Sequence, residues 1–222
     1  MSKRGHFEEQ DYIEWLKSLG CILYLPLSED CDLQDHISGL SLQLTGQGSM
    51  VWDGSQQMYK ITQPNSGFQY VAKLNNGLDK DSFPNDNFTT LHSVKRITKS
   101  SKYINTLSPQ STNGDTCAAT TAVYNGTGRT NVWPTNLANV AYVSNNDQRN
   151  RSHYQNGELY TTFAEYLPSL PSNWVMNGTG FTIGCCRGAT SIYYGTQFYM
   201  KEVYLFNTVL DLQIIRKIQG YE

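Results

Sequence analysis

Two adjacent residues constrain this chain most. Asn156 and Gly157 stand between the alternating runs His153-Tyr154-Gln155 and Glu158-Leu159-Tyr160-Thr161-Thr162. Both tolerate the positive φ of a type I′ turn, so the spacing predicts a tight antiparallel β-hairpin. The rest of the last quarter agrees with an antiparallel sheet. Phe181-Thr182-Ile183-Gly184 is a short apolar strand. Residues 197–206 form a long strand in which neither face is uniformly polar, so both faces are expected to be covered. Residues 212–219 carry Ile214, Ile215 and Ile218 as one stripe, with Asp211 before them and Gly220 after them, which predicts a closing helix that packs on the sheet.

Towards the N-terminus, Tyr12, Trp15, Leu16 and Leu19 recur at helical spacing, with Glu8, Glu9 and Asp11 in the first turn. A helix over 7–19 follows, able to pack on a sandwich or on a partner chain. Beyond it the chain reads as short strands with Gly, Asn and Pro between them: 21–27, a half-buried alternation of Leu40, Leu42 and Leu44, then 50–52, 58–62, 68–74, 88–98, 103–107, 117–124 and 137–143. Polar turns or loops are expected at 53–54, 109–115 and 144–151. The fold class is therefore all-β, a two-sheet antiparallel sandwich with one short helix at each end. Residues 1–19 form a helical extension and 20–222 a single domain.

Several of these segments together resemble the laminin-G-like and concanavalin A-like jelly rolls of the lectin–glucanase superfamily. The resemblance rests on Cys21-Ile22-Leu23-Tyr24-Leu25-Pro26-Leu27 near the start and on the strand 88–98. It continues in Tyr154-Gln155-Asn156-Gly157, Phe181-Thr182-Ile183-Gly184 and Val203-Tyr204-Leu205-Phe206-Asn207. It is strongest at the two ends and weakest over about 99–150. After the first strand, Asp35-His36-Ile37-Ser38-Gly39 replaces the family's usual D-x-S-G-N turn. The resemblance implies a jelly roll that binds glycans through loops or through its concave sheet, at a cell surface or on a virion appendage.

Composition removes other classes. The formal net charge is −2 with 16% charged residues and no basic patch, which argues against nucleic acid. No apolar run approaches the ~20 residues of a membrane span. The basic start Met1-Ser2-Lys3-Arg4 leads into no apolar run, so no secretory signal peptide is expected in this form, and the four N-x-Ser/Thr sequons at Asn87, Asn125, Asn150 and Asn177 are discounted. Cys21, Cys31, Cys117, Cys185 and Cys186 are odd in number and match no zinc spacing, which reads as buried free thiols.

The candidate site lies on loops, where sandwiches carry function. Sugar recognition wants an aromatic ring against C–H groups, with amide and guanidinium donors for hydroxyls. Tyr124, Asn125, Arg129, Asn131 and Trp133 supply that set, and Arg149 and His153 add to it. Asp30, Asp32 and Asp35 offer oxygens suited to calcium, the competing reading being an acidic turn that caps its own backbone. His92, alone in its strand, reads as a packed residue. Glu9-Gln10-Asp11-Tyr12-Ile13-Glu14 matches the E-x-D-x-x-E pattern of laminarinase-type glycoside hydrolases. On a helix, however, positions 9 and 11 diverge by about two hundred degrees, so the match carries no carboxylate pair. The expectation is a non-catalytic, lectin-like carbohydrate-binding module. The alternative is a structural or protein-interaction module of a phage tail or bacterial surface assembly, docked through the N-terminal helix, and a glycoside hydrolase is an outsider.

Overall fold

The computed structural model describes residues 9–30, 33–63, 70–78, 87–97, 103–105, 107–111, 122–124, 136–145, 147–148, 150–163, 176–184 and 197–221. An eight-stranded antiparallel sheet dominates. It comprises β1 (Cys21–Leu25), β3 (Ser49–Asp53), β4 (Met58–Thr62), β6 (Phe88–Arg96), β10 (Ala138–Asn145), β11 (Asn150–Gln155), β12 (Glu158–Phe163) and β14 (Gln197–Phe206). Its order is β12-β11-β10-β6-β14-β4-β3, and β1 also pairs with β14. β14 is long enough to take β4 along its first half and β1 along its second. A four-stranded sheet lies opposite, in the order β2 (Gln43–Leu44), β5 (Ala72–Leu74), β13 (Met176–Ile183) and β8 (Leu107–Ser111). β7 (Tyr103–Asn105) and β9 (Ala122–Tyr124) form a separate two-stranded ribbon. The all-β sandwich expected from the sequence is the observed architecture.

Alternation builds two cores. On the inner face, Leu23, Leu25, Met50, Ile61, Val94, Val140, Phe198, Met200, Val203 and Leu205 meet Ala72, Leu74, Leu107, Phe181 and Ile183 of the smaller sheet. On the outer face, helix α1 (Glu9–Ser18) and helix α2 (Leu212–Gln219) cover Tyr24, Leu91, Ala141, Val143, Tyr204 and Phe206. This double coverage explains why neither face of β14 is uniformly polar.

α1 lies on its own sheet, with Tyr12 and Leu16 buried. The Tyr12 and Tyr204 hydroxyls are 3.3 Å apart, Tyr24 stacks on Tyr204 at 4.6 Å, and Lys217 of α2 stands 5.5 Å from the Trp15 ring. The apolar face that offered itself to a partner chain is thus occupied within the molecule. α2 is capped as expected: the Asp211 carboxylate accepts from the Ile214 N–H, and Gly220 closes the other end in the left-handed conformation. Asn156 and Gly157 have φ of 52° and 78°, as a type I′ turn demands. Tyr221 locks that turn to the C-terminus, its hydroxyl donating to Asn156 Oδ1 at 3.0 Å while Asn139 Nδ2 donates to it at 2.8 Å.

The structure corrects several local expectations. β8 occupies 107–111, so Pro109 to Ser111 are strand rather than loop; β13 runs through Asn177-Gly178. An irregularity between Met176 and Phe181 absorbs those small residues within the ladder. β10 and β11 reach Asn145 and Asn150, leaving a narrower turn than 144–151. Leu42 is buried while Leu40 and Leu44 are exposed, because only Gln43 and Leu44 are paired as strand. Residues 117–121 lie outside the described residues.

Candidate functional site

The inner face of the large sheet changes character along its width. Over β14, β4 and β3 it is dry. Over β6, β10 and β11 it turns polar although still buried: Thr90, His92, Ser144 and His153 are each no more than 2% exposed. Strand register creates this patch. Thr90 of β6 pairs with Tyr142 of β10, which pairs with His153 of β11, so three residues far apart in sequence form one cross-strand row. His92 sits in the neighbouring row, opposite Val140.

Burial fixes the chemistry of the two imidazoles. Removal from water pushes His92 down to about 3, with the nearby His153 adding to the effect, and pushes His153 down to about 4. Both are neutral at pH 7, each with one N–H donor and one bare acceptor nitrogen. Neither ring nitrogen of His153, nor the Thr90 hydroxyl, has a hydrogen-bond partner among the described residues. A buried polar group left unpaired costs ~1–3 kcal/mol, so these groups need an explanation beyond packing.

A bulge places an aromatic ring beside them. The β11–β12 register shifts between His153, opposite Thr161, and Tyr154, opposite Leu159, so Tyr160 is the extra residue. Its ring meets His153 edge-on, with centroids 5.5 Å apart, yet Tyr160 stays 49% exposed. Tyr160 thus joins solvent to the buried polar row. No sequence signal marks it, since the bulge exists only once the two strands are paired.

The residues expected to form the site fall as follows. His153 is buried behind Tyr160, in the strand whose alternation leads into the Asn156-Gly157 turn, and is not on a surface loop. Tyr124 lies in β9. Asn125, Arg129, Asn131, Trp133 and Arg149 lie outside the described residues. Asp35 is fully buried and caps a turn: its carboxylate accepts from Tyr24 N (2.9 Å), Ile37 N (3.0 Å), Ser38 N (3.2 Å) and Ser38 Oγ (2.6 Å). The His36 N–H donates to the Tyr24 carbonyl at 2.8 Å, so this turn closes the free edge of β1. Asp30 is exposed in the preceding turn, and Asp32 lies outside the described residues. Among the described residues, no three His, Cys, Asp or Glu gather closely enough to hold a metal ion.

Glu9, Asp11 and Glu14 are all exposed on α1. Glu14 accepts from Lys17 at 2.9 Å, and Glu9 lies 3.1 Å from His36 Nδ1. They face different partners and do not form a catalytic pair. Cys21 is buried, which pushes its thiol well above the usual range and leaves it unreactive at neutral pH. Among the described residues, no helix is long and apolar enough to cross a membrane.

No family model and no curated protein matches the sequence. Solved structures do match in fold. A botulinum neurotoxin type G receptor-binding domain is similar at TM-score 0.55 and 12% identity, over 91% of this chain and 51% of that one. A structure of botulinum neurotoxin type C, whose uptake by cells is dependent upon interaction with two ganglioside molecules, gives 0.58 and 12% over 93% and 52%. A Trypanosoma rangeli sialidase mutant displaying trans-sialidase activity gives 0.54 and 15% over 90% and 32%. The chain spans about half the length of the neurotoxin domains and about a third of the sialidase. At this identity the likeness shows the fold.

Proposed function

We propose that this chain is a carbohydrate-binding module of the concanavalin A-like, laminin-G-like type. The observation that carries the reading is the bulge in β12, which sets the exposed Tyr160 ring against the buried His153 and the row of Thr90 and Tyr142 behind it. A half-exposed tyrosine ring suits the C–H surface of a sugar, and neutral imidazole and hydroxyl groups suit its hydroxyls. Neutrality matters, since a charged pair would select an ionic ligand instead. The ganglioside dependence of the type C neurotoxin lends support from a protein of the same fold. In this reading Tyr124, Asn125, Arg129, Asn131, Trp133 and Arg149 are further candidates for sugar contact.

The test is a glycan and polysaccharide array with the purified chain, run with calcium and again with chelator. Saturable binding that Tyr160→Ala abolishes supports the site, and Trp133→Ala reports on the loop. Loss of signal in chelator shows that binding needs a divalent cation, for which Asp30 and Asp32 are the candidates left by the hydrogen bonds that already occupy Asp35. A blank array in both conditions overturns the reading.

A further inference from the structure

Among the described residues the large sheet has two open edges, and they are not alike. At one edge, β12 carries the Tyr160 bulge, a device that twists an edge away from further pairing. At the other, β3 pairs with β4 in unbroken register from Ser49 opposite Thr62 to Asp53 opposite Met58. Among the described residues β3 has no second neighbour. Its sequence, Ser49-Met50-Val51-Trp52-Asp53, holds no Lys, no Pro and no bulge, the usual protections of an edge strand. Val51 at its centre is 59% exposed. The turn 45–48 joins β3 to β2, the edge strand of the smaller sheet, where Leu44 is 56% exposed. Among the described residues, edge strands of both sheets therefore lie open at one side of the sandwich.

We infer that the occupant of this edge is a second copy of the chain, joined through antiparallel β3–β3 pairing about a two-fold axis at Val51. A two-fold pairing must be self-complementary, because each residue i meets the residue related to it by the axis. Centred on Val51, it sets Val51 against Val51, Met50 against Trp52 and Ser49 against Asp53. On the outer face this gives an apolar pair on the axis, flanked twice by Ser49 opposite Asp53, whose carboxylate is held within its own chain by Ser55, Gln56 and Tyr199 and so needs no counter-charge from the second copy. No like charges face each other, and Asp53, the one charged residue of the strand, meets a serine in both copies. A β-branched pair directly opposite across strands is a favourable sheet contact. Self-pairing also removes the exposed edge that would otherwise recruit strands without limit, since an isologous contact closes on itself. This inference does not rest on the sugar reading.

Sedimentation equilibrium of the full chain, from micromolar to submillimolar concentration, tests it. The expected result is a mass rising towards twice the monomer's. Val51→Lys, which sets two ammonium groups face to face on the axis, should remain monomeric throughout, while Leu159→Lys on the β12 edge should associate as the parent does. Val51→Cys should form a covalent dimer on mild oxidation that the parent, with its own cysteines, does not form. This second variant holds whether or not Val51→Lys folds fully. A parent chain that stays monomeric over the whole range overturns the inference. So does a folded Val51→Lys that associates like the parent, or a Val51→Cys that gives no more cross-linked dimer than the parent.

Discussion

Lowering the pH from 7 to 5 should destabilise this protein by about 4 kcal/mol through two side chains. His92 and His153 are held neutral in the folded state, at about 3 and about 4, whereas an unfolded histidine titrates near 6.5. Their folded values are depressed, so protons bind the unfolded chain more readily. The stability they permit is full above about pH 6.5 and is lost as the pH falls from there towards 4. Between pH 6 and 5 unfolding takes up nearly two protons, a slope approaching ~3 kcal/mol per pH unit. Integrated from pH 7 to 5, each histidine contributes about 2 kcal/mol. For a domain of this size, that total corresponds to a fall of roughly 8–16 °C in Tm. Urea denaturation at pH 7, 6 and 5 measures it in a window above the titration of ordinary carboxylates. His153→Gln should roughly halve the loss, and His92→Gln with His153→Gln should remove most of it. A parent whose stability changes by less than about 1 kcal/mol between pH 7 and 5 would refute the burial argument. A double variant retaining the full slope would refute it equally.

Three further substitutions test other parts of the fold. Asp35→Ala removes the acceptor of three backbone N–H groups and one hydroxyl, and should cost about 3–5 kcal/mol in urea denaturation; Asp35→Asn should recover part of it. Gly180 has φ +109°, and a Cβ there would stand 2.0 Å from the Leu74 carbonyl oxygen, so Gly180→Ala should cost ~4 kcal/mol or more and sharply reduce folded yield. Leu16→Ala opens a cavity between α1 and the sheet and should cost about 2–5 kcal/mol, with no change in the association measured by sedimentation.

Local chemistry was largely legible in the sequence. The Asn156-Gly157 hairpin, the Asp211 and Gly220 caps and the strand 197–206 each depend on neighbours a few residues away, and each stands where those neighbours place it. What depends on pairing between distant strands was not legible. Only the register of β6, β10 and β11 brings Thr90, Tyr142 and His153 into one row. The Tyr160 bulge and the contrast between the β3 and β12 edges have the same origin, since a strand's position at an edge follows from sheet order, and sheet order from contacts far apart in the chain. The residues chosen for sugar contact were read from side-chain type and nearness in sequence, which say nothing of burial, and His153 among them is buried within its strand.

Two kinds of buried polar side chain in this molecule separate structure from function. Asp35 is buried with both carboxylate oxygens engaged by backbone and hydroxyl donors, and it closes the edge of β1. Its burial is accounted for by the fold. Thr90 and His153 are buried without a partner among the described residues, on a face where Val or Leu would remove the cost of ~1–3 kcal/mol for each unpaired group. The neighbouring positions Val94, Val140 and Val203 show that this sheet accepts apolar residues there. In the proposed reading, two polar groups that lower stability in a core able to be apolar are accounted for when Thr90 and His153 meet a ligand, and the half-exposed Tyr160 ring stands beside His153. If substituting Thr90→Val and His153→Leu raised stability while leaving glycan binding intact, that account would fail.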